Sequence, residues 1–367
     1  MQQIRDTILT RALFYLPRKL YEFGALLRHT LYQTGRFKAQ ELDAAVISVG
    51  NITFGGTGKT PMVDYIARFL ADEGFKVAIL SRGYKRKSKS ERVLVSDGEQ
   101  IHADADESGD EPYLLAKYLP RVSVIVGPNR YANALWAQEH LDTGVFLLDD
   151  GFQHQQLKRD LNILLLDATD PFGGGEMLPF GRLREPLMTM RRADAVVITR
   201  ADRPFDYEYV VKNIENLAGN VPIFFAAHAI TGLRDLKTGE AVVPETFSGS
   251  RIAAFCGIGN PDVFFSDLAN FEMDLAWKKS FKDHYSYTVK DIKEIAESAE
   301  SAGAEAIITT EKDAVKIEGL LPEGISFYAA QLEVEPEEDI KFKSIILRAI
   351  ANRHREVRRN KRLAGKS

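Results

Sequence analysis

Apolar residues near the start of the chain recur at helical steps. Leu9, Leu13, Leu16, Leu20, Phe23, Leu27 and Leu31 follow one another by three or four positions, with Arg11, Arg18, Glu22, His29 and Arg36 on the opposite side. Pro17 inside this pattern predicts a kink or a split into two helices. From residue 44 the pattern changes to short, continuous apolar runs separated by helical stretches. These runs are 44–49, 77–80, 122–126, 145–148, 161–166 and 195–199, followed by 223–226, 252–256, 306–309 and 327–330. Runs apolar at every position suit strands buried on both faces of a parallel sheet. The stretch 231–250 reads as a loop, and the residues after 352 as a helix end that frays. The expected architecture is α/β: a doubly wound, mainly parallel sheet, then a second, smaller α/β domain. The expected segments are 1–40, 41–222, 223–352 and 353–367.

Composition changes this picture little. The chain has 367 residues, 45% hydrophobic and 27% charged, which excludes a wholly disordered chain. The single cysteine, Cys256, excludes a disulfide framework and a cysteine-cluster metal site. Charge changes it more. The net charge is −4, yet residues 1–40 carry seven Lys/Arg against two acids, and residues 353–367 carry seven against one. Two basic ends on an acidic body suggest an anionic surface as partner. A wide apolar stripe opposite basic residues describes a helix lying in lipid headgroups, and equally one docked on the protein's own core. The acidic middle and the lack of aromatic interleaving in 353–367 argue against nucleic acid.

The most specific local signal is Gly55-Gly56-Thr57-Gly58-Lys59-Thr60, after one β run and before a helical stretch. Glycines there let backbone N–H groups cradle a phosphate, and the following helix N-terminus adds its dipole. Lys59 would reach the β/γ-phosphates of ATP, and the Thr60 hydroxyl would hold Mg²⁺. Thr53 stands where such loops usually have their first glycine. The run 145–148 leads into Asp149-Asp150, carboxylates at the C-terminal end of a buried strand, where either could bind the metal.

These motifs lie within a longer ordered set: Ser81-Arg82-Gly83-Tyr84, Gly109-Asp110-Glu111-Pro112, Gly127-Pro128-Asn129-Arg130, Asp149-Asp150-Gly151-Phe152-Gln153-His154, Arg184-Glu185-Pro186, Lys282-Asp283-His284-Tyr285 and Thr310-Glu311-Lys312-Asp313. In that order the chain resembles the tetraacyldisaccharide 4′-kinase family of lipid A biosynthesis. The resemblance implies transfer of the γ-phosphoryl of ATP to the 4′-hydroxyl of a tetraacylated glucosamine disaccharide 1-phosphate. It implies peripheral attachment to the cytoplasmic face of the inner membrane, and two α/β domains closing over the site. Asp110 then matches the base position and His284 its partner. Arg130, Gln153, His154 and Arg184 match positions near the acceptor, and Glu185 that of a further Mg²⁺ ligand. Without the resemblance, Asp110 is equally a helix N-cap, His284 a surface loop residue and the arginines ordinary ion pairs. The competing function is a P-loop GTPase or metallochaperone-type ATPase switch, for which Thr199-Arg200-Ala201-Asp202 would be a weak guanine-reading element.

Overall fold

The computed structural model describes residues 8–364. Arg5, Asp6 and Lys366 of the charge pattern lie outside the described residues. So does the Leu9 side chain. Among the described residues no helix is long and apolar enough to cross a membrane.

Thirteen strands form one continuous sheet: β1 (Ala45–Asn51), β2 (Val77–Ser81), β3 (Val93–Ser96), β4 (Val122–Val126), β5 (Val145–Leu148), β6 (Leu161–Asp167), β7 (Ala195–Thr199), β8 (Ile223–Asp235), β9 (Ala241–Val242), β10 (Arg251–Cys256), β11 (Asp274–Ser280), β12 (Ala306–Thr310) and β13 (Ser326–Pro336). Their order is β11-β10-β12-β13-β8-β7-β6-β1-β5-β2-β4-β3, with β9 beside β8. β1 lies between β5 and β6, parallel to both. All seven of its residues are buried, the polar Ser48 and Asn51 included, as suits a strand covered on both faces.

Every expected strand is present. The loop expected over 231–250 is in part strand, because β8 runs on to Asp235. Its residues 223–226 pair in parallel with β7, and 226–235 pair antiparallel with β13. One strand therefore carries the sheet through both halves. The Thr231-Gly232 pair that signals a turn is accommodated at a register shift, with Gly232 opposite Gln331.

Ten α-helices are described: α1 (Ile8–Gln33), α2 (Lys59–Asp72), α3 (Ala105–Ser108), α4 (Asp110–Tyr118), α5 (Arg130–Leu141), α6 (Tyr207–Ala218), α7 (Pro261–Ala269), α8 (Val289–Ser301), α9 (Glu311–Ile317) and α10 (Asp339–Ala364). Met62, Ile66 and Leu70 of α2 share one core with Leu115 of α4 and with Phe342, Ile346 and Ile350 of α10. The last helix thus returns from the second half to cover the sheet of the first. It is unbroken to Ala364, which corrects the expected frayed tail. Buried Arg353 anchors it, donating to the Leu42 carbonyl and pairing with Glu41 and Glu356.

Helix α1 also departs from expectation. It continues through Pro17. The proline removes one N–H, and the carbonyl this frees belongs to Leu13, an exposed residue that water can reach. The side of α1 that carries Arg11 and Arg18 meets the body. Both arginines pair with Glu176, at 3.2 and 2.8 Å, and His29 is buried. Leu13, Leu16, Leu20 and Phe23 are 62–69% exposed. The apolar stripe faces outward, so the helix does not use it to dock on its own core.

Candidate active site

The site lies at the C-terminal ends of β1, β2 and β5, where parallel sheets bind ligands. β1 delivers the glycine-rich loop and α2 begins at Lys59. Gly58, the residue before α2, has φ +74, and a Cβ there would run into the His228 imidazole. The loop thus needs glycine for conformation and for space. Several groups hold it. Asn51 Nδ2 donates to Thr57 Oγ1 (2.8 Å), Thr199 Oγ1 to the Thr57 carbonyl (3.1 Å), and Arg200 Nη1 to the Gly56 carbonyl (3.0 Å). Arg200 also pairs with Asp167. Thr199 and Arg200, read from the sequence as a weak base-reading element, here support the phosphate loop.

The Asp149-Asp150 turn presses against β1 because Gly50 has no side chain: a Cβ there would lie 2.6 Å from the Phe152 nitrogen. Asp149 is buried and accepts from Ser81 Oγ at 2.8 Å. Burial, then the charges of Glu111 and Asp150, push its carboxyl up to about 6. Asp150 lies 3.7 Å from Lys59 Nζ and 2.8 Å from Arg184 Nη1. Burial acts to raise its carboxyl, but Lys59, Arg184 and Arg130 outweigh that and hold it below the usual range. Phosphate loop, lysine and two hard carboxylates thus converge, and with the Thr60 hydroxyl they supply oxygen donors of the type Mg²⁺ prefers. Glu185 takes a different place. Its buried carboxylate is paired with Arg192, whose guanidinium lies 4.4 Å from the Phe152 ring centroid. Among the described residues no group of three or more His, Cys, Asp or Glu side chains is arranged to hold a metal.

The residues expected near the acceptor fall beside this turn. Gln153 Nε2 donates to the Asn51 carbonyl at 2.7 Å. Arg130 is buried and donates to the carbonyls of Asp149 (2.9 Å) and Leu80 (3.4 Å). Two of its nitrogens are therefore committed to shaping the turn. Arg184 is drawn to Asp150 and lies over the Phe54 ring. His154 has an unpartnered, buried Nε2, and burial, with the charges of Arg130, Arg159, Arg28 and Arg82, pulls its pKa down to about 3. It is a neutral ring among cations. An open cleft of about 340 Å³ is lined by Arg82, Gly83, Tyr84, Lys85, Arg86 and Pro128. Its three cations, Arg82, Lys85 and Arg86, form a basic wall of which the sequence reading singled out Arg82 alone.

Asp110 and His284, 174 residues apart, meet. His284 Nδ1 lies 3.2 Å from Asp110 Oδ2. The contact joins the start of α4 to the loop between β11 and α8, and it is formed in this structure. Gly109, not Asp110, is the cap residue of α4, and the Asp110 carboxylate turns to His284 and Lys316 (3.7 Å). Burial raises its pKa, but the His284 hydrogen bond and the Lys316 and Lys312 charges prevail and hold it below the ordinary value. Lys312 stands 3.2 Å from His284 Nε2, 3.1 Å from Glu111 and 3.3 Å from Asp283. The sequence signal for Lys312 was the Thr310–Asp313 motif, to which no role attached. For His228, over Gly58, there was no signal, since it sits in a stretch of β8 that reads as featureless.

A profile of the tetraacyldisaccharide-1-P 4′-kinase family matches residues 10–351. A tetraacyldisaccharide 4′-kinase of Geobacter metallireducens is 43% identical over 317 residues, 86% of this chain and 90% of that one. One from Desulfatibacillum aliphaticivorans is 39% identical over 346 residues, covering 92% of each chain. Among solved structures, LpxK from Aquifex aeolicus, crystallised in complex with ATP, is 36% identical. It superposes with a TM-score of 0.74 over 93% of this chain and 99% of that one. The chain belongs to the tetraacyldisaccharide-1-P 4′-kinase family.

Proposed function

We propose that this site moves the γ-phosphoryl of ATP to the 4′-hydroxyl of a tetraacylated glucosamine disaccharide 1-phosphate. The observation that carries the assignment of roles is the Asp110–His284 contact together with the phosphate loop that leads into α2. Backbone N–H groups of residues 55–60 and the Lys59 ammonium hold the triphosphate. Thr60, Asp149 and Asp150 would hold Mg²⁺, which would supply charge neutralisation at the transferring phosphoryl. Asp110 accepts the proton of the sugar hydroxyl as its oxygen bonds to Pγ and the Pγ–O bond to the β-phosphate breaks, releasing ADP. A carboxylate held low is a weak base, which suffices when the proton moves late in a loose transition state. Asp110 comes from segment 41–222 and His284 from segment 223–352, so the base is assembled only when both halves are in place.

The acceptor's 1-phosphate is received by the basic loop Arg82–Arg86 and the collar of arginines around His154, which suits a dianion. A four-chain lipid stays in its bilayer, so the enzyme works at a membrane surface, here the cytoplasmic face of the inner membrane. The outward apolar stripe of α1 is the part of the molecule that supports this. The test is mass spectrometry of the lipid disaccharide 1-phosphate after incubation with enzyme, ATP and Mg²⁺, where one added phosphate ester is expected. Asp110→Asn and His284→Ala should each lower turnover by about 10²-fold or more. Turnover within a few-fold of wild type in both would remove the proposed base.

A further inference from the structure

Beyond Arg353 the last helix leaves the body. Arg353 is buried, Glu356 and Val357 are half-buried, and every residue from Arg358 to Ala364 is exposed. That stretch rises about 10 Å along a helix, so α10 ends in a short overhang. Arg355, Arg358, Arg359 and Arg362 follow at steps of three and four, which sets them on one face, opposite the buried Ile346, Ile350 and Arg353. Among the described residues no carboxylate pairs with any of the four, and Arg355 donates to Asn352 Oδ1 at 2.6 Å. The acids nearby are already engaged: Asp43 by Lys361 at 3.0 Å, Glu41 by Lys158 and Arg353, and Glu356 by Arg353. We propose that this arginine face is a second lipid contact, which binds the phosphate headgroups of an anionic membrane beside the apolar stripe of α1. This rests on the membrane reading given above.

Charge, spacing and place select that partner. Like charges three and four apart on a helix repel, so the row weakens the end that carries it unless anions lie across it. The helix dipole favours cations in the last turn, but Arg355, Arg358 and Arg359 stand ahead of that turn. Guanidinium forks take phosphate oxygens two at a time. Four cations clustered on one helix face are enough to draw anionic headgroups. The overhang also stands beside the segment that leaves α1, because Lys361 reaches Asp43 and Arg353 donates to the Leu42 carbonyl. In that segment Arg36, Phe37 and Lys38 are exposed, and Phe37 packs edge-on against Tyr32 of α1. Basic groups and an apolar ring therefore continue from the end of α1 to the arginine row. The overhang itself carries no aromatic ring on which a nucleic-acid base could stack. All four arginines lie beyond residue 351, where the family match ends. A basic patch strengthens attachment by apolar insertion, and the two contacts together fix which side of the molecule meets the lipid.

The test uses the full-length protein and two kinds of vesicle, neutral phosphatidylcholine and phosphatidylcholine mixed with anionic phosphatidylglycerol. Replacing Arg355, Arg358, Arg359 and Arg362 together by Gln removes the charge and keeps good helix formers. That variant should bind the anionic vesicles about 10²-fold more weakly than wild type, with the difference shrinking as salt is raised. Its binding to neutral vesicles, its melting temperature and its turnover on acceptor in neutral detergent micelles should match wild type. The same four residues changed to Lys should keep most of the binding, since the attraction is one of charge. Equal affinity of the Gln variant and wild type for anionic vesicles would overturn the inference. So would an equal loss on neutral vesicles, or a Lys variant no better than Gln. A Gln variant that keeps vesicle binding but loses a single-stranded RNA oligonucleotide bound by wild type would give the face to nucleic acid and equally overturn it. If wild type binds anionic vesicles and the Gln variant matches it, only the role of α10 is lost. If wild type binds neither kind of vesicle, it is the membrane reading that fails.

Discussion

Asp149 shows how much one residue can give up to serve a site. It is buried, close to Glu111 and Asp150, and its carboxyl is pushed up to about 6. In the unfolded chain the same group titrates near 4. The folded state therefore binds more protons between those values, and stability is lost as pH rises through about 6. Asp149→Asn removes the buried charge and keeps a polar group of the same shape. Without nucleotide, that variant should unfold at a higher temperature than wild type at pH 8, with the difference vanishing near pH 4, while its metal-dependent turnover collapses. Thermal unfolding at the two pH values checks this, and identical midpoints at pH 8 would sink it. Legibility in the sequence also differs residue by residue. Lys59 and Thr60 were readable because a phosphate loop is contiguous and its chemistry is written in adjacent positions. The Arg192 partner of Glu185 was not, because which cation a carboxylate meets depends on what folds against it.

Helix α1 is the element that the period alone described well and placed incompletely. Its spacing gave the helix and the stripe, but could not say which side would meet the body. Glu176, the partner of Arg11 and Arg18, is more than 150 positions away in the chain. With the arginines turned inward, Leu13, Leu16, Leu20 and Phe23 are left exposed in a row. Burying each in lipid would contribute about 1.5–3 kcal/mol, and nearby basic residues about 1 kcal/mol each toward anionic headgroups. Replacing Leu16, Leu20 and Phe23 together by Glu should lower affinity for anionic vesicles at least about 10²-fold. Thermal stability should barely change, since these side chains contribute little to the fold. Vesicle co-sedimentation beside a melting curve separates the two effects. Retained binding would remove α1 as the membrane contact.

At the scale of the whole molecule, the two halves are joined twice. β8 pairs with β7 on one side and β13 on the other, and α10 crosses back onto the sheet of the first half. The second join ends at Arg353, which is 4% exposed and bonded to the Leu42 carbonyl just ahead of β1. Arg353→Ala leaves that carbonyl without its donor and Glu41 with Lys158 as its remaining cation, and should cost about 1–3 kcal/mol in urea unfolding. A change below about 0.5 kcal/mol would show that α10 is held by its apolar face alone. These joins matter to the chemistry because Asp110 and His284 are contributed by opposite halves.

The amino-acid order by itself determined ten of the thirteen described strands (all but β3, β9 and β11), the phosphate loop, the acidic turn after β5 and the helical period of the first segment. Each is a local matter: strand burial, backbone conformation and helix pitch act over a few consecutive residues. Only the tertiary structure decided that β8 spans both halves, that α1 turns its apolar side outward, that Glu185 belongs to Arg192, and that Lys312 closes a line through His284 to Asp110. Those outcomes depend on partners far apart in the chain, selected by packing and charge pairing once the sheet has formed, and no periodicity along the chain encodes them.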